Sequence, residues 1–493
     1  MAMPWTEKPV AAVCPDSLLW SLLAGVPIGL LFLIVAQLES KWFFFLFLGG
    51  LTLAASLAPV DRKAYYLTLL VLSLPIGVDL NLHFQPSTFR RSTQGFSIQL
   101  SQIPLATLYV IWGFRCITQR LPFRVSTTGL FPLLVVFTSG TISVLLAKDP
   151  LFGAFDLFSL SVAILLFIYA ASAVRELWEV HLVLFTLMTS MAIQGIIAIG
   201  QHLSGSTLGL EFFGASERFN TTPGLAALTR VGGTLGHPNT LALFFDLLLP
   251  LGFSLLFCPM RKRLKLLLIL VVGCGMIGLA VTLSRGGILS VGLALTIILF
   301  ARWRERTGLL RASLAVVAAG MLPLLVLFGP SNSIQERFFE HDYGSAYGRI
   351  PHMQVAFNII RHKPFFGVGL NNYTEVGRQY DHTPEQIVPL WNSPVHNLFL
   401  FVAGEIGLIG LGAFLLFLLA IVRTLLPAIR SPDPAVASIG LGLLLGLLAF
   451  LSHSQVDYCN WSLFGTLWFL LGLAVSVGRL ASLPSVTYTK RLS

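Results

Sequence analysis

Charge is what this chain has least of. Lys, Arg, Asp and Glu make 11% of its 493 residues, against about 25% in a soluble globular domain. Hydrophobic residues make 55%, and the mean hydropathy is +0.81. Too few polar side chains are present to coat a soluble fold, so the composition excludes the soluble classes and leaves the integral membrane class. Cysteine is scarce too, with five in the chain. In the topology below, Cys14, Cys116 and Cys258 fall near the cytoplasmic side, Cys274 within a span and Cys459 outside. An external disulfide needs two cysteines on that face, so none is expected within one chain.

What is present is a series of apolar runs of the length a spanning helix needs, about 20 residues. Fourteen spans are expected, near 18–37, 42–59, 64–83, 101–118, 128–147, 151–173, 180–203, 238–258, 265–283, 286–301, 309–329, 396–422, 435–453 and 461–478. The first run is too long for the apolar part of a cleavable leader and lacks basic residues just before it, so no leader is expected. The formal charge of +10 is a topology signal, because of where the cations lie. With the N-terminus in the cytoplasm, the inner side holds Arg62, Lys63, Arg115, Arg120, Arg124, Arg175, "RKRLK" (261–265), "ARWRERTGLLR" (301–311), Arg423, Arg430, Lys490 and Arg491. The short outer loops hold Lys41, Lys148 and Arg285. Basic bias of this kind sets orientation. Both termini are therefore expected in the cytoplasm, and no nucleic-acid partner is expected.

The fold class expected is an all-α polytopic integral membrane protein. A cytoplasmic tail (1–17) leads into a transmembrane bundle of about eleven spans (18–329), with outer loops at 84–100 and 204–237. A large outer loop (330–395), three further spans (396–478) and a cytoplasmic tail (479–493) follow. Structureless loops as long as 330–395 are uncommon, and "YGRIPHMQVAFNIIRHKPFFGVG" (347–369) predicts a helix followed by a turn. Ile350, Met353, Ala356, Ile359 and Ile360 give that helix one apolar face, with Pro351 tolerated in its first turn. It is expected to lie on the membrane or to cap the bundle.

In that topology the unusual polar residues meet at the outer rim. Arg230 precedes "VGGTLGHPNTLALFF", in which His237, Pro238 and Asn239 open a span. Arg285 lies in "LSRGG", the tight link between two spans, and Arg349 begins the loop helix. "NSPVHNLFLFVAGEIGLIG" (392–410) places His396 and Asn397 at the start of a span and Glu405 inside it. Each has an ordinary structural role open to it. Arginine snorkels at interfaces, asparagine and histidine cap helices, and a buried glutamate can serve as a structural partner. The glycines of "SRGG" and "GLIGLG" allow close helix packing. Asp156 and Asp246 also lie within spans, and neither has a partner identifiable in the sequence.

The ordered set of Arg230 with "GTLGHPN", "TLSRGGILS", "GRIPHMQVAFNIIRHKPFFGVGLNNY" and "VHNLFLFVAGEIGLIGLGAFL" resembles the O-antigen ligase and O-antigen polymerase superfamily. The motifs span 230–412. The resemblance implies a GT-C-like glycosyltransferase that works on the periplasmic face of the bacterial inner membrane without a metal or other cofactor. Its donor would be a glycan on undecaprenyl diphosphate. Its acceptor would be lipid A–core or another lipid-linked glycan. The resemblance places an essential histidine at His396. The chemistry of the residues agrees. Arginine gives permanently charged, two-pronged contacts to phosphate, which suits Arg230 and Arg285, with Arg349 as a third candidate, to a diphosphate leaving group. A neutral histidine can take the proton of an attacking hydroxyl, which makes His396 the base or an orienting group. His237, Asn239, Asn397 and Glu405 are read as supporting residues.

Two other readings stay open. Glu340, His341 and Asp342, with Asp381, His382 and Glu385, are residue types that bind divalent ions, although loop residues at such spacing are usually solvated. A transporter is the rival function, because some relatives bear an inorganic-carbon transport label. Transporters tend to show internal repeats and ionisable residues near the midplane. No repeat is visible here, and the polar motifs lie at the outer ends of the spans.

Overall fold

The computed structural model describes residues 40–55, 61–216, 230–302, 348–390, 392–458 and 460–482. The spans expected at 18–37 and 309–329, and the "FFEHDYG" cluster, lie outside the described residues. The chain divides into two units between Pro59 and Val60. Of the first, helix α1 (Ser40–Ala55) is described. The second unit is mostly helical: α2 (Arg62–Ser73), α3 (Gln102–Thr118), α4 (Leu130–Leu145), α5 (Pro150–Ala173), α6 (Leu177–Ser204), α7 (Pro238–Leu255), α8 (Lys262–Val281), α9 (Arg285–Arg302), α10 (Arg349–His362), α11 (Leu398–Ile429), α12 (Pro434–His453) and α13 (Gly465–Ala481). Among the described residues seven helices are long and apolar enough to cross a membrane: α5, α6, α7, α8, α9, α11 and α12. This is the all-α polytopic class in its coarse form.

The helices pair closely where side chains vanish. Helix α12 packs against α7, and its Gly442 and Gly446, four residues apart, make the approach possible. A Cβ at Gly446 would lie 2.4 Å from the Leu247 carbonyl oxygen, and one at Gly442 would lie 2.7 Å from the Leu251 Cα. In an apolar solvent there is no hydrophobic drive between helices, so such close backbone contact supplies the packing. Helix α5 pairs with α13, α4 with α11 and α6 with α8.

The connections expected on the outer face are more structured than the sequence indicates. The run expected to span 64–83 stops as a helix at Ser73. The chain then makes an antiparallel hairpin, β1 (Asp79–Leu82) with β2 (Phe96–Gln99), in register Asp79 with Gln99. Polar Asp79, Asn81 and His83 interrupt the apolar run, and alternation over a few residues suits a strand. Helix α10 forms where expected, but its buried face is turned. Pro351, His352, Val355, Ala356 and Ile359 are buried, while Ile350 is exposed. The i, i+3, i+4 row through His352, Val355, Ala356 and Ile359 packs on α11, so the helix caps the bundle.

Helix α11 is broken at Gly407, whose φ of 74° lies in the left-handed region. The break frees backbone groups that burial would leave costly, and the segment after α10 satisfies them. Val368 N–H donates to Gly404 O at 2.9 Å, Gly369 N–H to Glu405 O at 3.1 Å, and Leu408 N–H to Pro364 O at 2.7 Å. A Cβ on Gly407 would fall 2.0 Å from the Phe365 carbonyl oxygen. Only glycine fits there. The sheath of outer segments is closed by Arg91. It donates to Asn371 O at 2.8 Å, pairs with Glu375 and lies 3.7 Å from the Phe152 ring centroid.

Candidate active site

Helix ends on one side of the bundle surround a cavity of about 500 Å³. It is lined from the end of α2, the starts of α3, α7 and α10, the 393–396 stretch before α11 and the 457–465 stretch after α12. Arg230, His237, Asn239, Arg349 and His396 all line it. A smaller adjoining cavity of about 90 Å³ is lined by Arg230, Arg285 and Arg349, with Asn239, His453 and Asp457. The fold therefore brings the three arginines to one small pocket that shares Arg230 and Arg349 with the larger space beside His396. Asn397 and Glu405 line neither.

Each side chain is placed by a local reason. Arg230 donates from Nε to Thr282 O at 3.1 Å and from an Nη to Asn239 Oδ1 at 2.6 Å, so its guanidinium is fixed against two elements. His237 caps α7: its Nδ1 accepts the Asn239 N–H at 3.1 Å, while Pro238 sits in the first turn, where its missing N–H costs nothing. With Nδ1 accepting, the proton of the neutral ring belongs on Nε2. Burial, with the Arg230 and Arg90 cations, pushes the His237 pKa down to about 4, against the attraction of Asp457.

Asn397 explains how His396 reaches the rim. Its extended backbone opens α11, its Oδ1 accepts the Leu400 N–H at 3.0 Å, and its amide donates to Gln455 O at 3.2 Å and Gln455 Oε1 at 3.0 Å. Leu398 N–H donates to Ser454 O at 2.8 Å. The start of α11 is thereby tied to the end of α12, and His396 and Asp457 come to line the same cavity. His396 Nδ1 is buried with no hydrogen-bond partner among the described residues. Burial holds its pKa below the usual imidazole value, helped by Arg349 and Arg90 and opposed by Asp457. The His352 ring stands 6.3 Å from it. His352 is pushed down to about 4, chiefly by burial and then by His396. A neutral imidazole with an unclaimed nitrogen in a polar cavity has the form a general base requires.

Glu405 is elsewhere. Its Oε1 accepts the Asn371 N–H at 2.8 Å, two residues before the break in α11, so its place is in the scaffold that holds the segment after α10. Asp381, offered above as a metal ligand, has a carboxylate occupied by Thr383 N–H at 3.1 Å and Val388 N–H at 2.8 Å. Among the described residues no group of three His, Cys, Asp or Glu side chains converges as metal ligands would.

Sequence reasoning missed four lining residues: Arg90, His352, His453 and Asp457. It also left Asp246 without a partner, which the structure supplies in His453, with Nδ1 2.6 Å from Asp246 Oδ2. A usable signal was present in "SHSQVDY" (452–458). Span alternation places it on the same rim as "VHN", with His453 and Asp457 one helical turn apart. Arg90 gave no such signal, since its neighbour Arg91 looks the same in sequence and is buried in the loop clamp.

Residues 266–415 match the O-antigen ligase family model. Over that stretch, under half of its length, the chain is similar to the O-antigen ligase domain. The matched stretch holds Arg285, Arg349, His396 and Glu405. Arg230, His237, Asn239 and Asp457, which the fold packs around the same cavities, lie outside it. No curated protein matches the chain. An O-antigen ligase/polymerase-type membrane enzyme is thus supported by the family and by the apolar helices together.

Proposed function

We propose that this chain transfers a glycan from an undecaprenyl-diphosphate carrier to a sugar hydroxyl at the periplasmic face of the bacterial inner membrane. The acceptor would be lipid A–core or another lipid-linked glycan. The single observation that carries the reading is the convergence of Arg230, Arg285 and Arg349 on one small pocket that opens beside His396. Three cations match the charge of a diphosphate, and arginine offers the bidentate geometry phosphate oxygens accept. The carrier's prenyl chain stays in the bilayer while its head group reaches the rim, which accounts for a site built at helix ends. The reading includes fourteen spans, a GT-C-like architecture and both termini in the cytoplasm.

In the step proposed, the acceptor oxygen attacks the anomeric carbon, and the bond from that carbon to the diphosphate oxygen breaks with its electron pair. The acceptor's proton passes to His396, whose depressed pKa keeps it neutral and available. The undecaprenyl diphosphate leaves with its developing charge held by the three arginines, preorganised donors of the kind that lower such barriers most. The step is metal-independent in this proposal, because the guanidinium groups do what a divalent ion does in other diphosphate-releasing enzymes.

The test is reconstitution of the full chain in vesicles with a lipid-linked glycan donor and a core acceptor. Formation of a glycan–acceptor product together with free undecaprenyl diphosphate is expected. Solute accumulation in the vesicles without product would overturn the enzyme and support the transporter.

A further inference from the structure

Beneath the arginine pocket runs a buried polar chain that the proposed step does not use. Asp246 Oδ2 lies 2.6 Å from His453 Nδ1, and His453 Nε2 lies 3.1 Å from Ser284 Oγ. All three side chains are buried, in the interior of a helix bundle where polar groups are costly and usually serve a purpose. Ser284 belongs to the turn between α8 and α9, and that turn touches both donor arginines. The Ser284 N–H donates to Thr282 Oγ1 at 3.2 Å, the Thr282 carbonyl accepts from Arg230 Nε at 3.1 Å, and the next residue in the chain is Arg285. Between them Leu283 holds a φ of 53°, a left-handed conformation that costs a non-glycine residue about 1 kcal/mol or more and persists only where its surroundings enforce it.

The two glycines after Arg285 fit the same account. A Cβ on Gly286 would come within 2.5 Å of the His453 ring carbon Cδ2, and one on Gly287 within 3.0 Å of the Ala242 Cβ. "SRGG" therefore reads as a turn shaped to receive an imidazole, with an arginine on its rim. From the other elements, Asp457 Oδ2 lies 4.0 Å from His453 Nε2, and Arg349 shares the pocket.

The geometry points to Asp246 and His453 as positioning residues of the diphosphate site: acting through Ser284, they hold the strained turn that aims Arg285 and anchors Arg230. The inference rests on the diphosphate reading above. Asp246 fixes the imidazole's orientation, the imidazole Nε2 hydrogen-bonds the Ser284 hydroxyl, and relaxing Leu283 would break that bond. The same three side chains also have the spacing of a nucleophilic serine triad, so the experiment must tell positioning from covalent chemistry.

Inorganic pyrophosphate is the probe, titrated calorimetrically against the full-length protein in nanodiscs, with thermal stability recorded for every variant. Wild type is expected to bind it. Asp246→Asn, His453→Gln and the milder Ser284→Ala are each expected to weaken binding, the first two by about tenfold, in line with coupling energies measured between contacting residues. On an Arg285→Lys background the same substitutions should add about threefold instead of about tenfold, because one of the two side chains they position is already gone. A purely structural role would lower thermal stability without this non-additivity. Wild-type-like affinity in Ser284→Ala and His453→Gln would overturn the inference while leaving the diphosphate site standing. Full additivity with Arg285→Lys would overturn it as well. Covalent labelling of Ser284 by a fluorophosphonate would replace it with a nucleophile. Failure of wild type to bind pyrophosphate would remove the diphosphate reading and this inference with it.

Discussion

Glu405 Oε1 accepts the backbone N–H of Asn371 at 2.8 Å, across the point where α11 breaks and the outer loop enters the bundle. The glutamate inside an apolar run is thus the partner of a loop amide that has no water to turn to. The same loop residue carries the Arg91 clamp through its carbonyl and receives the Ser92 N–H on its side chain at 2.7 Å. Glu405 is therefore predicted to matter for assembly. Glu405→Gln keeps an oxygen for Asn371 and should fold and transfer nearly normally. Glu405→Ala leaves a buried N–H unpaired and should cost about 1–3 kcal/mol, seen as lowered thermal stability. Equal stability of the two variants would contradict this assignment.

Arg285→Lys should lose at least about tenfold in transfer rate although the charge is kept, since an ammonium cannot reproduce the guanidinium's paired contacts. Arg423→Lys, on an exposed part of α11, should be silent. Matched loss in both variants at equal expression would reduce Arg285 to an interfacial anchor.

Adjacent arginines should separate cleanly. Arg91 is buried in its ion pairs, and removing one member of such a network costs about 3–5 kcal/mol, so Arg91→Ala should fold poorly. Arg90 is exposed to the cavity, touches Ser393 Oγ at 3.5 Å and pairs with no carboxylate among the described residues. Arg90→Ala should keep its thermal stability and weaken transfer several-fold through a raised KM, about 1 kcal/mol or more for a lost contact to a charged substrate group. A stable Arg90→Ala enzyme with unchanged KM for donor and acceptor would exclude that contact.

Much of this was legible beforehand. The seven long apolar helices, the meeting of Arg230, Arg285, Arg349 and His396 around two adjoining cavities, and the loop helix follow from hydropathy, span alternation and an i, i+3, i+4 pattern. What was not legible depended on contacts far apart in sequence. The partner of Asp246 is 207 residues away in His453. The break in α11 is set by a loop that docks on Gly404 and Glu405, and no local signal distinguishes Gly407 from the other glycines of "GEIGLIGLG". The hairpin at 79–99 was hidden because the length of the apolar run outweighed the short alternation of Asp79, Asn81 and His83 at its end.

Acid should destabilise the protein through two histidines outside the spans. His237 and His352 are each pushed to about 4 in the folded protein, while an unfolded histidine titrates near about 6.5. Between those values the unfolded state binds more protons, so stability is fully present above about pH 6.5 and is lost as the pH falls toward about 4. The apparent melting temperature at a fixed scan rate should be flat from about pH 8 to 7 and decline below about 6.5. His352→Gln should shallow the decline. An unchanged slope in that variant would mean that His352 is protonated without cost.

In the proposed step the decisive residue is His396. Its nitrogen Nδ1 lacks a partner among the described residues, its pKa is held low by burial, and its position is set by the Asn397 cap and not by its own ring. His396→Ala should therefore fold and insert normally, with a thermal stability close to wild type. Transfer should drop by about 10²–10⁴-fold, the usual loss when general-base assistance is removed. Pyrophosphate affinity should stay, because the arginines are untouched. The wild-type pH–rate profile should show an acid limb below about 6.5, where the base becomes protonated, and the residual activity of His396→Ala should lack it. Asn397→Ala should act differently. It removes the cap on α11, costs about 1 kcal/mol in stability, and lowers the rate only as far as it lets His396 drift. A His396→Ala enzyme with near-wild-type turnover, or one whose acid limb survives, would take the base out of the mechanism. A variant that loses activity only in step with its melting temperature would make His396 a packing residue.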